Sequence, residues 1–581
     1  MEAALYASTK LATLKQSLFR ECLAMKKTGG MIFTESLIRN GVKDLFMIPG
    51  IQLDWAVDAL RQKHGEVKLF VPRHEQTTTY MADGYFRASG KVGTAMVVPG
   101  PGALNAGAGL STAYASNSKV MFLTGQICSK GIGKGYGLLH EIKDQTGFVA
   151  GLTKWNTLVK KGEDIPGAVD EAFAQINKGR PRPVGVEVPH DFLQESYDLP
   201  DAVPAVPTLA APKLDQTLID NAAALINNAK LPVIYAGGGS LSTASRKGLL
   251  ALAEKIGAPV VMSDNGRGAI SDRHPLAMNS LAGRAVFEYA DLVVVLGSRF
   301  MDVLSPDTSW PMDKAKFIFV NIDADDMTAP RTPSVAIEAD VGDVVPAIAN
   351  LVKARKALTN EQALSVKEWA SQQIEEIQPQ ASYVTQLRNA MPDDAIFVNE
   401  LTQIGYLARI AFPVYEPRTY IGPGYQGTLG YGFPVALGAA VGGDGRRVVS
   451  ITGDGGFGWN LQELATANRY NLPITLIVFN DGHYGNVRAI QKRQFGAEVA
   501  VELANPDFGL LAQSFGVDFV SVDNPADLGK AVSESITKDG PLMIEVKVGV
   551  MPSPWHLLRL QPLGGVVAPN TPANPLKAVF S

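Results

Sequence analysis

Short apolar runs rich in β-branched residues recur from one end of the sequence to the other. That recurrence limits the fold more than any other feature. They fall at Val92–Val98, Val120–Leu123 and Val184–Val188, then at Pro232–Tyr235, Val260–Met262, Leu292–Leu296 and Phe317–Ile322. They resume at Ile396–Val398, Val448–Ile451, Ile474–Phe479 and Leu542–Val546. Longer amphipathic stretches separate them. A strand that is apolar on both faces must be covered on both faces, which is the condition of a parallel sheet between helices. Strands alternating with helical patterns imply repeated βαβ units. The expected class is α/β, built from doubly wound parallel sheets.

Length sets how many such sheets to expect. A chain of 581 residues, at ~100–200 residues per domain, should hold three or four domains. Residues 199–213 (LPDAVPAVPTLAAPK) are rich in Pro and Ala, as a semi-rigid linker is. Residues 352–379 carry a charged, Gln-rich helical pattern with little core-forming character. These shifts divide the chain into an N-terminal extension (1–29), a first domain (30–198), the linker (199–213) and a central domain (214–351). A helical linker (352–379), a third domain (380–551) and a tail (552–581) rich in Pro, Gly and Asn complete it. The first and third domains could be distant copies of one fold.

Composition removes several function classes. Lys and Arg number 53 against 57 Asp and Glu, a formal charge of −4, so the balance calls for neither a nucleic-acid nor an anionic-membrane partner. The two cysteines, Cys22 and Cys128, exclude a disulfide framework and a Cys-based zinc or iron–sulfur site. They read as reduced thiols of a cytoplasmic protein. No apolar run approaches the ~18–20 residues that cross a bilayer. The first thirty residues are basic and lack the apolar core of a secretory signal, and they read as an ordinary extension rather than a targeting helix.

The residues able to do chemistry follow the apolar runs. Gly453-Asp454-Gly455-Gly456 comes after Val448–Ile451, and Ile474–Phe479 ends in Asn480-Asp481-Gly482. In parallel sheets, ligands bind beyond the carboxyl ends of strands. Both polar clusters sit at such ends, joined by one helix, so Asp454 and Asp481 could converge on one hard cation. The glycines would admit backbone amides to a diphosphate. Mg²⁺ takes a few carboxylates plus phosphate oxygens. Either cluster alone reads equally well as a tight turn; the two together are far more specific.

This pattern resembles the thiamin-diphosphate (ThDP) binding motif. The resemblance covers about residues 30–550 and is to the superfamily of acetohydroxyacid (acetolactate) synthase, pyruvate oxidase and benzoylformate decarboxylase. It implies a ThDP pyrimidine-binding domain, a central Rossmann-like domain and a ThDP diphosphate-binding domain, with ThDP and Mg²⁺ as cofactors. By position, Asp454 and Asp481 would ligate the metal with the backbone carbonyl of His483. Many relatives have Asn where this chain has Asp481, which supplies the same oxygen with extra charge. Tyr484 and Gly485 belong to the same cofactor-binding segment, as do Gly453, Gly455 and Gly456.

Other residues gain roles through the resemblance. Glu75, in Arg73-His74-Glu75-Gln76, otherwise reads as a solvated strand-end acid; here it matches the family's activating glutamate. A carboxyl hydrogen-bonded to the aminopyrimidine favours the tautomer that takes the thiazolium proton, and a buried carboxyl with a raised pKa can share a proton in this way. In the family this residue reaches across a dimer interface. In Gln426-Gly427-Thr428-Leu429-Gly430, Leu429 would prop ThDP into a bent shape, and a carbonyl at Gly427 or Thr428 would accept from the aminopyrimidine. Thr402 and Gln403, in Asn399-Glu400-Leu401-Thr402-Gln403, would contact the diphosphate. Pro99-Gly100-Pro101-Gly102 and Thr124-Gly125-Gln126 resemble further family landmarks. In the central domain, Gly237-Gly238-Gly239-Ser240 and the acidic end of Asn321-Ile322-Asp323 could cradle a nucleotide. Relatives bind FAD or ADP there and others leave it empty; FAD is not favoured here.

The substrate pocket departs from the relatives. Acetohydroxyacid synthases carry Phe-Gln-Glu where this chain has Leu139-His140-Glu141, an Arg where it has Val303 and a Trp where it has Ile490. Benzoylformate decarboxylases place Ser and His where Ile51 and Val98 stand. Two residues could fill the gap. His140 could shuttle protons, or be a loop histidine. Gln52 could hydrogen-bond a substrate carboxylate, or only cap a turn. The expected function is ThDP- and Mg²⁺-dependent decarboxylation of a 2-keto acid, or its carboligation with a keto acid or aldehyde to a 2-hydroxy ketone. A homodimer is the minimum assembly and a homotetramer the family habit. The alternatives are a lyase of 2-hydroxyacyl or oxalyl thioesters, a nicotinamide dehydrogenase and a non-catalytic regulatory homologue.

Overall fold

The computed structural model describes residues 26–199, 213–301, 315–328, 331–558 and 571–580. Cys22 and most of the N-terminal extension, nearly all of the Pro/Ala linker and Val303 lie outside the described residues.

Each apolar run named above forms a strand, and the strands assemble into three six-stranded parallel sheets. The first holds β1 (Asp44–Met47), β2 (Lys68–Phe70), β3 (Gly93–Val97), β4 (Val120–Gln126), β5 (Trp155–Leu158) and β6 (Val184–Pro189), in the order β2-β1-β3-β4-β6-β5. The second holds β7 (Pro232–Ala236), β8 (Val260–Met262), β9 (Ala277–Met278), β10 (Leu292–Leu296), β11 (Lys316–Asn321) and β12 (Val335–Glu338), in the order β9-β8-β7-β10-β11-β12. The third holds β13 (Ile396–Asn399), β14 (Tyr420–Ile421), β15 (Val448–Gly453), β16 (Ile474–Asn480), β17 (Asp518–Val522) and β18 (Leu542–Lys547), in the order β14-β13-β15-β16-β18-β17.

The first and third sheets thus share one strand order, and the middle sheet has the order typical of dinucleotide-binding folds. In all three the order reverses direction beside the first strand. Right-handed crossovers then carry helices to both faces, which is the doubly wound arrangement. Most interior strand positions are apolar and buried, as all of Leu292–Leu296 are.

The chain divides into two compact units. One runs to Ala82 and takes in Val92–Leu110 and Lys119 to the linker; it contains the first sheet. The other takes Asp83–Lys91, Ser111–Ser118 and the described residues beyond the linker, and contains the second and third sheets. Within it, buried Arg267 joins the two sheets' ends: its guanidinium donates to the Arg409 carbonyl at 2.6 Å, to the Phe412 carbonyl, and to Asp272 at 3.0 Å. Removing one partner of such a buried pair costs about 3–5 kcal/mol.

Two segments differ from expectation. The Gln-rich stretch forms the helix Asn360–Glu375, opened by a capping box of Thr359 and Gln362. Its small apolar residues recur at helical spacing, so Ala363, Val366, Ala370 and Ile374 bury into the core of the second sheet. The expectation of little core-forming character misses this narrow stripe. The described parts of the tail also pack there: Leu557 and Leu576 join that core, and Trp369 Nε1 donates to the Pro572 carbonyl at 2.9 Å.

Candidate active site

β15 and β16 are adjacent and parallel, with Gly453 opposite Phe479. Asp454 and Asp481 therefore leave two neighbouring strands at the same end. Both line a cavity of about 360 Å³, a size typical of ligand pockets. Four of the segments that wall it contain the residues expected to bind the diphosphate, the metal and the ring system. Thr402 and Gln403 begin the helix Gln403–Ala411 after β13. Gly427, Thr428 and Leu429 lie in the loop before the helix Gly432–Gly442. Gly453, Asp454, Gly455 and Gly456 form the turn after β15. Asp481, His483, Tyr484 and Gly485 follow β16.

The two acids are held from several sides. Asp454, only 3% exposed, accepts from the Gly482 amide at 2.9 Å and from Asn505 Nδ2 at 2.6 Å. Asp481 accepts from Gln403 Nε2 at 2.6 Å and from the His483 amide at 3.1 Å. Burial lifts the Asp454 carboxyl above its ordinary range; Asn505 pulls it part of the way back, and the Asp481 charge pushes it up again. Burial likewise raises Asp481. His483 Nδ1 stands 2.7 Å from the Asp481 carbonyl. A carbonyl only accepts, so Nδ1 carries a proton.

This donor set fits a divalent cation with a diphosphate. A buried acid whose proton affinity is raised by burial and by a half-buried neighbouring acid is relieved by a positive ion between the two. Among the described residues no group of three or more His, Cys, Asp or Glu side chains is placed to hold a metal. The shell would be completed by backbone and ligand oxygens, as Mg²⁺ accepts them from phosphates. The glycines divide by function. A Cβ on Gly455 would stand 2.7 Å from the Tyr484 ring, one on Gly485 2.5 Å from Asp481 Oδ2, and one on Gly456 would fall on Glu400 Oε1. These are demanded by the protein's own packing. A Cβ on Gly453 would find its nearest neighbour 3.7 Å away, at Thr402 Cγ2; its missing side chain leaves room.

Leu429 is 46% exposed and flanked by glycines in the left-handed region, Gly427 (φ 57°) and Gly430 (φ 75°). The Thr428 hydroxyl pairs with that of Thr112 at 3.2 Å.

The remaining candidates lie in the first unit. Glu75 opens the helix Glu75–Ser89, is half-buried, and accepts from Asn105 Nδ2 at 3.0 Å. Gln52 and His140 meet: Gln52 Oε1 stands 2.8 Å from His140 Nδ1, and Gln52 Nε2 donates to the Leu139 carbonyl at 3.0 Å. His140 has φ 66°, a left-handed conformation that costs a side-chain-bearing residue about 1–2 kcal/mol. The Pro99-Gly100-Pro101 turn has a local explanation. A Cβ on Gly100 (φ 60°) would collide with the His140 carbonyl, and its amide donates to Gln145 Oε1 at 2.7 Å.

In the second sheet the glycine run is used by packing between β7 and β10. A Cβ on Gly237 would strike the Gly297 carbonyl, and the Gly239 amide donates to that carbonyl at 3.2 Å. Backbone approach accounts for these glycines without a nucleotide.

Sequence reasoning did not single out Asn505, Glu400, Asn105 or Met551. Asn505 and Met551 lie in loops without periodicity. Met551 donates its amide to Gln403 Oε1 at 2.9 Å, which fixes the side chain that holds Asp481.

Comparison with known families agrees with this arrangement. Residues 27–148 match the N-terminal TPP binding domain of thiamine pyrophosphate enzymes, 219–348 the central domain and 402–546 the C-terminal TPP binding domain. The chain belongs to the thiamine pyrophosphate enzyme family and is a ThDP-dependent enzyme. Among curated proteins it is similar to the acetolactate synthase isozyme 1 large subunit of Escherichia coli, 31% identical over 533 residues, covering 90% of this chain and 94% of that one. It is also similar to a probable acetolactate synthase large subunit of Methanocaldococcus jannaschii, 32% identical over 566 residues and covering 92% and 94%. The acetolactate synthase large subunit of Buchnera aphidicola is 30% identical over 562 residues, covering 93% and 97%.

Proposed function

We propose that the protein is an acetolactate-synthase-like carboligase that uses ThDP and Mg²⁺ to decarboxylate a 2-keto acid and join the remaining fragment to a second carbonyl compound. The observation that carries this reading is the cavity at the ends of β15 and β16, where buried Asp454, half-buried Asp481 and the glycine turns converge. The relatives' names support the same chemistry.

Bound ThDP supplies a carbon nucleophile and an electron sink for loss of carbon dioxide. The chain's own residues bind, orient and exclude water. Asp454 and Asp481, with the His483 carbonyl, hold Mg²⁺. The Gly453 and Gly455 segment, with Thr402 and Gln403, receives the diphosphate. Leu429 would support the ring system, and a carbonyl at Gly427 or Thr428 would accept from its amino group. Glu75, kept in place by Asn105, would hydrogen-bond the aminopyrimidine of a cofactor in a neighbouring subunit, so the assembly is at least a homodimer and, by family habit, a homotetramer. His140, fixed by Gln52, is the proton-handling group of a substrate pocket that departs from the relatives at Leu139-His140-Glu141 and Ile490. Among the described residues no helix is long and apolar enough to cross a membrane.

The test is product identification after incubating the full-length protein with pyruvate, ThDP and Mg²⁺, with and without added aldehyde, and with Glu75→Gln alongside. Carbon dioxide release with a 2-hydroxy ketone product, lost in Glu75→Gln, is expected. Release of free aldehyde alone would make it a decarboxylase. No turnover of any 2-keto acid, despite ThDP binding, would overturn the reading in favour of acyl-thioester substrates.

A further inference from the structure

We propose that Glu400 is a positioning residue of this site: its carboxylate clasps the amides of Gly430 and Gly432 and so fixes the loop that carries Leu429 against the Asp454–Phe457 turn. The inference deepens the ThDP reading, since it rests on that reading for what the loop does.

Glu400 follows β13, is 4% exposed and lines the cavity. Its Oε1 accepts from the Gly430 amide at 2.9 Å and its Oε2 from the Gly432 amide at 3.0 Å. One carboxylate therefore spans two peptides that bracket Tyr431, immediately after Leu429. Glycine walls the carboxylate on both sides. A Cβ on Gly432 would stand 2.7 Å from Oε2, and one on Gly456 would fall on Oε1. The Gly430 peptide is gripped from the other side as well: Asn460 Nδ2 donates to its carbonyl at 2.5 Å. Tyr431 closes the arrangement, its hydroxyl donating to the Asn399 carbonyl at 2.8 Å.

A buried acid is a costly way to join two loops. Burial pushes the Glu400 carboxyl up to about 7, and the groups that offset this are the two amides and the Thr452 hydroxyl. Tyr431, whose phenol is held far above its ordinary range by burial, is the titratable neighbour that feels the Glu400 charge. A neutral amide cannot replace the acid: Gln offers one acceptor oxygen and turns an NH₂ toward the second peptide N–H. Charge-assisted bonds to peptide amides are also roughly twice as strong as neutral ones.

The test is hydrogen–deuterium exchange on the full-length protein without cofactor, comparing wild type, Glu400→Gln and Glu400→Asp, followed by ThDP affinity of each with Mg²⁺ present. Exchange across residues 427–433 should rise about tenfold to a hundredfold in Glu400→Gln, with the rest of the third sheet unchanged. Glu400→Asp keeps both acceptor oxygens but is one methylene short, so its exchange should fall between the two. ThDP affinity should fall in the same order. If Glu400→Gln does not fold, Glu400→Asp carries the comparison. Exchange of 427–433 at the wild-type rate in every folded variant would overturn the clasp. A uniform rise throughout the chain would reduce Glu400 to general stability and also overturn it. Loosened exchange in Glu400→Gln, beside a wild type that binds no ThDP at all, would refute the functional reading while leaving the clasp itself supported.

Discussion

In the third sheet the two central strands, β15 and β16, lead into Gly453-Asp454 and Asn480-Asp481. In the first sheet the strands in the same places, β3 and β4, lead into Pro99-Gly100 and end at Gln126. One strand order thus serves two kinds of strand end. In the first sheet the strand-end groups bond mainly to one another, although burial raises Glu187 too and leaves its Oε1 without a hydrogen-bond partner. The Gly100 amide goes to Gln145, and buried Glu187 accepts from Gln145 Nε2 at 2.9 Å and Gln126 Nε2 at 3.2 Å. In the third sheet the acids face a cavity instead, and burial raises both of them. A doubly wound sheet supplies a crevice at its switch point, but the residues placed there decide whether it binds.

The sharpest way to break this comparison is to exchange the acids' roles. Asp454→Ala should reduce turnover of pyruvate to background, because the proposed metal site would lose one of its two carboxylates. Glu187→Gln should keep turnover within about tenfold, since one rearranged hydrogen bond is worth about 1 kcal/mol. Equal losses in the two variants, measured as carbon dioxide release, would erase the distinction between the sheets.

Glu75→Gln comes next. Loss of a group that exchanges protons should lower kcat about 10³-fold while ThDP affinity changes little. A large loss of affinity with kcat preserved would make Glu75 a binding residue only.

The third prediction concerns pH. The Glu400 carboxyl rises from 4.5 to about 7 on folding, so between those values the folded protein holds more protons than the unfolded chain. Its contribution is whole below the unfolded pKa and falls away as pH rises through the folded one. Wild type should therefore lose up to about 3 kcal/mol relative to Glu400→Gln between pH 4.5 and about 7. Chemical denaturation across that range measures it, and a constant difference would show that Glu400 titrates normally.

The smallest effect is at His140. Glycine tolerates φ 66° and alanine does not, so His140→Gly should be about 1 kcal/mol more stable than His140→Ala. Equal stability would mean that the loop relaxes when the Gln52 contact is lost.

Legibility in the sequence followed burial. Interior strands are apolar on both faces and announce themselves. Every edge strand was silent: Lys68–Phe70, Trp155–Leu158, Ala277–Met278, Val335–Glu338, Tyr420–Ile421 and Asp518–Val522. Such strands pair on one side, run for only a few residues and mix exposed positions with buried ones, as Asp518–Val522 does. The interior strand Asp44–Met47 was also missed, being four residues long and opened by an acid. At the site, Asp454 and Asp481 were legible because each sits in a glycine turn directly after an apolar run. Glu400 stood in a segment already noted, yet its role needs the Gly430 and Gly432 amides, thirty and thirty-two residues further along the chain. Asn505 reaches Asp454 across fifty-one residues from a loop with no pattern of its own.

The most direct measurement is calorimetric titration of ThDP into the full-length protein, with and without Mg²⁺, for wild type and Asp454→Ala. The account predicts saturable binding that requires Mg²⁺ and disappears in Asp454→Ala. Binding that ignores Mg²⁺ and survives Asp454→Ala would place the cofactor elsewhere and contradict it.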